Sequence, residues 1–401
     1  MMPLEGIKVV ELGSYIVAPG AAAALADWGA EVIKIEDPRL SDNPRLGDGF
    51  RRIAPGRNVN LMLEQENHSK KSLTLDITND AGREIFYELI RRADVFVTNL
   101  PEEVLKRRML DYETLSKLND RLIFAHNTGY GEKGPDAGER AFDLGAYWCR
   151  GGIMASLGEP DSIPPFALGG TGDHPTAMHL ASGILLALIA RERTGVGQKV
   201  QTSLLSSAMW TAAVPVNIVL MTGQDYQRAS RKTRPNPLSN PYQTKDGRWI
   251  QLTMLEGDRF WSELCKALGL EHLQSDPKFD TQANRTANNA ELISIMDEAF
   301  ATKTKKEWES RFKSFDLIWA PVNTFAEVIA DPQVLENEYL VEIEHPTAGK
   351  IKIVAFPVQL SKTPAKVKSA APSLGQHTEE ILQGLGYSKE KIQELKGAKA
   401  I

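Results

Sequence analysis

Short β-branched runs alternate with helix-forming runs through the N-terminal third of the chain. Residues 7–12, Ile-Lys-Val-Val-Glu-Leu, form a compact apolar run, Gly13-Ser14 turns the chain, and residues 18–28 are alanine-rich with high helix propensity. Gly29-Ala30 leads into Glu31-Val32-Ile33-Lys34-Ile35-Glu36, which reads as a second strand. Connections this short predict a β–α–β unit and a parallel sheet. The rhythm then repeats. Residues 73–76, 94–99 and 121–127 read as strands, and residues 81–92 as an amphipathic helix with Ile85, Phe86, Leu89 and Ile90 inward. The pattern predicts a doubly wound α/β domain, in which ligands lie outside the C-terminal strand ends; Asn99, Thr128 and Gly129 fall at such ends. Residues 37–66, rich in Arg, Asn, Pro and Gly, read as one long loop.

The second half is organised differently. Residues 177–190 are apolar at helical period, residues 198–203 read as a strand, and residues 204–221 as one long apolar helix. Composition shifts at Gly223, and residues 227–240 are polar and proline-broken, which predicts a domain boundary. A strand at residues 249–252 and helices at 258–268 and 290–300 fit a smaller domain. Trp308, Phe312 and Phe315 recur at helical spacing as a core stripe, and residues 376–395 carry one or two further amphipathic helices.

Composition narrows the function classes. A chain of 401 residues suits two or more domains, and a net charge of −5 offers no basic field for nucleic acid. No apolar run approaches the roughly 18 residues of a membrane span. The opening Met1-Met2-Pro3-Leu4-Glu5-Gly6 lacks the parts of a signal peptide, and two distant cysteines, Cys149 and Cys265, make no disulfide framework, so the expected setting is cytoplasmic. Seven scattered histidines show no zinc pattern, and no metal is expected. Glu36 ends the second strand where a dinucleotide fold places its ribose-binding acid. The first turn, residues 13–20, has no Gly-x-Gly-x-x-Gly, which argues against a nicotinamide cofactor.

The most informative stretch is Gly169-Gly170-Thr171-Gly172-Asp173-His174-Pro175, set directly before the apolar helix at residues 177–190. Pro175 suits a first helical turn, so Asp173 is expected at or beside the helix start. Spacing alone leaves two readings open: an ordinary Asp cap, or a carboxylate nucleophile.

Several blocks in a fixed order carry a resemblance. They are residues 4–12 (Leu-Glu-Gly-Ile-Lys-Val-Val-Glu-Leu), residues 26–36 (Ala-Asp-Trp-Gly-Ala-Glu-Val-Ile-Lys-Ile-Glu), residues 129–135 (Gly-Tyr-Gly-Glu-Lys-Gly-Pro), Gly172-Asp173 with its helix, and residues 194–200 (Thr-Gly-Val-Gly-Gln-Lys-Val). Together the chain resembles the class III CoA-transferases, the family that includes formyl-CoA transferase and carnitine CoA-transferase. The resemblance implies that Asp173 is catalytic. It also implies a fold: a Rossmann-like large domain made of residues 1–222 and 326–401, a small α+β domain inserted at residues 223–325, and two chains interlocked as a homodimer. Coenzyme A and acyl-CoA enter as substrates beside a small carboxylic acid, with no permanently bound cofactor.

The same resemblance assigns Val17, Arg39, Asn99 and Arg107 to CoA binding, where a guanidinium suits phosphate. Gly170, Gly172 and His174 are candidates for substrate or oxyanion contacts. The family also holds acyl-CoA racemases, whose two acid–base groups include a histidine where this chain has Phe142, before Asp143. Phenylalanine carries no proton, so transfer is favoured over racemisation; a non-catalytic CoA-binding subunit is the third alternative. Residues 234–242 (Arg-Pro-Asn-Pro-Leu-Ser-Asn-Pro-Tyr) lack the glycine run of the formyl-CoA enzymes. With Lys245-Asp246-Gly247-Arg248-Trp249 they look more like the 2-hydroxyacyl and aryl-lactate transferases.

Overall fold

A computed structural model describes residues 1–41, 48–52 and 59–401, and divides into two compact units. The first comprises Met1–Ala155, Phe166–Gln224 and Gln333–Ile401; the second comprises Ser156–Pro165 and Asp225–Pro332.

The first unit is built on six parallel strands: β1 (Lys8–Leu12), β2 (Glu31–Glu36), β3 (Lys71–Thr74), β4 (Val95–Thr98), β5 (Ile123–Thr128) and β6 (Lys199–Ser203). Their order is β3-β2-β1-β4-β5-β6, so the winding reverses between β1 and β4. Val9 pairs with both Val32 and Val95 across that centre. Helices fill both faces, which is why the central strands read as near-continuous apolar runs.

On one face, α1 (Val17–Asp27) is buried at every position except Gly20. Its alanines let it lie close to the sheet and to the long helix of residues 173–194, and the three form one apolar core. On the other face, α3 (Asp80–Arg92) and α5 (Tyr112–Leu118) pack with the C-terminal helices Thr378–Leu385 and Lys389–Gly397.

The region expected as one long loop holds more structure. Short 3-10 turns at Pro38–Ser41 and Gly49–Arg52 precede α2 (Leu61–Asn67). Asn60 caps α2 by accepting from the N–H groups of Met62 and Leu63, a sequence signal for a helix start. Residues 42–47 and 53–58 of that expected loop lie outside the described residues. Between β4 and the long helix of residues 173–194 come α4 (Glu102–Arg108), a π-helical segment Leu144–Cys149 and the one-turn α6 (Ile153–Ser156). The long helix is α7 (Asp173–Thr194).

The single helix expected over residues 204–221 is instead two, α8 (Leu204–Thr211) and α9 (Ala213–Thr222), bent by 76°. Pro215 explains the break, because it lacks the N–H that would bond back to Thr211. No single described helix is long and apolar enough to cross a membrane; only this bent pair reaches that length and composition together. The hairpin Leu340–His345 with Gly349–Val354 has no counterpart in the sequence reading.

The second unit carries a three-stranded antiparallel sheet, Pro241–Gln243, Trp249–Leu252 and Trp319–Pro321. Trp308 and Phe312 are buried in its core with Phe315 packed against them, as the stripe predicted.

Candidate active site

Two loops meet at the reversal point of the sheet. The β1–α1 turn carries Gly13, Ser14, Tyr15 and Ile16, and the β4–α4 turn begins with Asn99. The Asn99 side chain spans the gap: Oδ1 accepts from Ser14 N at 3.1 Å and Nδ2 donates to Ser14 O at 2.8 Å. A buried charge cluster supports the first turn from below. Lys34 Nζ lies 2.7 Å from Glu11 Oε1 and 2.9 Å from Asp48 Oδ2, and donates to Gly13 O at 3.2 Å. Lys70 Nζ takes the second oxygen of Glu11 at 2.6 Å.

Asp173 is the first residue of α7, and the cap position before it is Gly172, with no side-chain cap bond. The Asp173 carboxylate is therefore not spent on capping, and it forms no hydrogen bond or ion pair among the described residues. Burial and the neighbouring Asp143 carboxylate push it up to about 7, with a smaller contribution from Glu66; His174 pulls the other way.

The loop that delivers Asp173 is shaped from three sides. Gly170 has φ +86°, a conformation that L side chains rarely adopt, and the position of its missing Cβ lies 2.8 Å from Ile16 Cδ1. A Cβ at Gly172 would meet the Tyr147 ring at 2.5 Å. The Gly172 N–H donates to Asp143 Oδ2 at 3.1 Å, so an oxyanion reaching that donor competes with a buried carboxylate. His174 Nδ1 contacts Gly170 O at 2.8 Å, and its Nε2 contacts Glu66 Oε1 at 2.9 Å.

The residues assigned to CoA binding are placed as follows. Val17 opens α1 and is buried. Arg39, after β2, is held by Asp37 Oδ2 at 2.7 Å and Asp76 Oδ1 at 3.2 Å. Asn99 ties the two turns as described, and Arg107 is exposed near the end of α4. Val17, Arg39 and Asn99 thus follow β1, β2 and β4 at one edge of the parallel sheet, and Ile16 joins that edge to the Gly170 loop.

Two acids escaped the sequence reading as site residues. Glu66 fell in the presumed loop; the Asn60 cap was the signal that a helix begins there. Asp143 follows Phe142 and was given no role. His126, near a strand end, has both ring nitrogens occupied, Nδ1 by Glu132 at 2.6 Å and Nε2 by Leu100 O at 2.8 Å. With Glu102, these groups form a His/Glu cluster, and the Lys199 ammonium already sits 2.7 Å from Glu132.

Comparison with known proteins agrees over the whole chain. The model of CoA-transferase family III matches residues 4–378. Cinnamoyl-CoA:phenyllactate CoA-transferase of Clostridium sporogenes is 35% identical over 406 residues, covering 99% of this chain and 97% of that one. (R)-2-hydroxy-4-methylpentanoate CoA-transferase of Clostridioides difficile is 34% identical over 400 residues, covering both chains fully at 100%. The crystal structure of a CAIB/BAIF family protein from Brucella suis superposes with a TM-score of 0.84 at 29% identity, covering 96% of this chain and 99% of that one. The chain belongs to CoA-transferase family III and is an enzyme that moves CoA from an acyl-CoA thioester to a free carboxylic acid.

Proposed function

We propose that Asp173 is the nucleophile of this transfer and that the acceptor is a 2-hydroxy or aryl-alkanoic acid. The observation that carries the first half is an unpaired, partly buried carboxylate at the start of α7, free of any capping duty. An Asp173 oxygen attacks the thioester carbonyl, the C–S bond breaks, and CoA thiolate leaves a mixed aspartyl anhydride. The thiolate attacks the aspartyl carbonyl, releasing the donor acid as its carboxylate and leaving an aspartyl-CoA thioester. The acceptor carboxylate attacks that thioester and expels the thiolate again. Thiolate attack on the acceptor's acyl carbon then yields the new acyl-CoA and restores Asp173. Each tetrahedral oxyanion needs N–H donors, and the backbone of the loop around Gly170 and Gly172 is the proposed source, with the Gly172 N–H shared with Asp143.

Val17, Arg39, Asn99 and Arg107 are the proposed CoA contacts. The reading is supported by Val17 and Asn99 lying beyond strand ends at the reversal point between β1 and β4, where open α/β sheets bind ligands, and by Arg39 beyond the end of the neighbouring β2. Arg107 offers an exposed cation for phosphate. The acceptor class rests on the acids for which the two relatives are named, phenyllactate and 2-hydroxy-4-methylpentanoate. The proposed assembly is an interlocked homodimer of a large domain (residues 1–222 and 326–401) and a small one (223–325), in a cytoplasmic setting. Exposed apolar side chains on α8 and α9, with Trp210 at 74% and Met221 at 86%, support a covered surface there.

Hydroxylamine should inactivate the enzyme only when acyl-CoA is present, with the modification mapped to Asp173 by mass spectrometry. Transfer activity retained by Asp173→Ala would end this reading. A panel of acids mixed with labelled CoA donors identifies the acceptor; exchange confined to formate and oxalate would reject the proposed class.

A further inference from the structure

Glycine is an odd choice at position 20. It sits in the first turns of α1, among Ala18 and Ala21–Ala24, where alanine would be favoured by about 1 kcal/mol. A Cβ at that position would lie 2.6 Å from Glu66 Oε2 and 3.4 Å from Ala177 Cβ. The gap in α1 is the seat of the Glu66 carboxylate. Lys70 fixes the end of α2 beside it, donating to Glu66 O at 2.7 Å and to Asn67 Oδ1 at 3.1 Å.

From that seat the carboxylate faces His174. A carbonyl oxygen can only accept, so the 2.8 Å contact between His174 Nδ1 and Gly170 O requires a proton on Nδ1. An ionised carboxylate also only accepts, so the 2.9 Å contact from Nε2 requires a second proton. We infer that Glu66 is a positioning residue for the transfer reaction, which fixes His174 as an imidazolium clamped on the Gly170 loop beside Asp173. This rests on the reading of Asp173 as the nucleophile.

Three consequences follow from the geometry. An imidazolium with both protons committed has no lone pair, so His174 is not the general base that its position beside Asp173 suggests. Its charge offsets the burial and the Asp143 carboxylate that oppose ionisation of Asp173. Its ring also holds Gly170 O, and with it the loop that leads into Asp173. The pair does little for the fold, since the His174 side chain is 53% exposed and half-exposed ion pairs contribute little stability.

Among the described residues, the charged groups that act on His174 are Asp173 on its own helix and Glu66 from α2, with Lys70 behind Glu66. Asp143, from the segment before the π-helical turn, acts on Asp173. Across a cavity of about 520 Å³ lined by Ala23, Met178 and Phe356, His68 is already paired with Asp27 at 3.0 Å. The bond from Glu66 is the main influence holding the His174 pKa above its usual value.

Histidine-selective NMR on the full-length protein, with the His174 signal assigned by its loss in His174→Gln, reads the charge directly. The His174 imidazolium should persist to higher pH in the native enzyme than in Glu66→Gln, which keeps the shape and removes the charge. Glu66→Gln should lower kcat about 10- to 100-fold, leave KM for acyl-CoA within about threefold, and move the acidic limb of the kcat profile upward. Glu66→Asp should restore part of kcat. Gly20→Ala, which crowds the seat, should reproduce the direction of the Glu66→Gln effects. A His174 titration that is the same in the native enzyme and in Glu66→Gln, or an unchanged kcat and limb in Glu66→Gln, overturns the inference. Activity in Asp173→Asn would instead overturn the nucleophile reading, and the NMR result would still decide the state of His174.

Discussion

The Asp143 carboxylate accepts the Gly172 N–H at 3.1 Å, so one buried acid holds the backbone from which another, Asp173, projects. The arrangement places two like charges close together, and that proximity, after burial, is what lifts the Asp173 carboxyl toward neutrality. With its carboxyl pushed up to about 7, the proposed nucleophile titrates near neutral pH.

The first prediction concerns pH. In the proposed mechanism only ionised Asp173 attacks, so kcat/KM should rise about tenfold per unit below pH 7 and level off above it. The same group affects stability in the opposite direction. Its folded pKa, about 7, exceeds the unfolded value of 3.8, so the folded state binds the extra proton between these values. Stability from this group is present at low pH and lost as pH rises through that window. Asp173→Asn should therefore raise the melting temperature more at pH 8 than at pH 5; equal shifts at both would contradict the sign.

Asp143 can be tested by separating its charge from its hydrogen bond. Asp143→Asn keeps an acceptor for Gly172 N–H and removes the like charge, so the acidic limb should move to lower pH. Asp143→Ala removes the acceptor as well, leaving a buried N–H unpaired at a cost of about 1–3 kcal/mol. It should lose stability and at least about tenfold in kcat, an order expected for a displaced catalytic group. Pre-steady-state and thermal measurements on the two variants separate these effects.

Gly170 holds a backbone conformation that glycine adopts freely and other residues do not. Gly170→Ala forces a side chain into φ +86° and toward Ile16, at a cost of about 1–3 kcal/mol. Chemical denaturation should show that loss, and kcat should fall while acyl-CoA binding by calorimetry changes little. Binding that collapses with kcat would mean that the loop shapes the CoA site instead.

Under the β1–α1 turn, Lys34→Met would leave the buried Asp48 without its cation and Glu11 with Lys70 alone. The native pairing is strong enough that Lys34 stays well above its usual pKa despite the opposing effect of burial, through Asp48, then Glu11. Breaking a buried pair this way costs about 3–5 kcal/mol, measurable by urea unfolding. Because Lys34 also holds Gly13 O, affinity for CoA should weaken in the same variant.

Much of this molecule is determined locally. The β-branched runs that became β1, β2 and β4, the alanine-rich α1, the stop at Pro215 and the glycine-led entry to α7 follow from propensity, side-chain period and missing donors. Those are properties of neighbours in the chain, as is the ordered set of blocks that marks the family. Tertiary structure decided the rest. Only the strand order puts Asn99 against Ser14, 85 positions apart, at the reversal of the sheet. Only packing of α2 against α1 and α7 brings Glu66 to His174, 108 positions away, and Asp143 to Gly172. Electrostatic and hydrogen-bond energies depend on distance in space and on exclusion of water. The charge state of the residues around Asp173 is therefore set by the fold, not by the sequence around it.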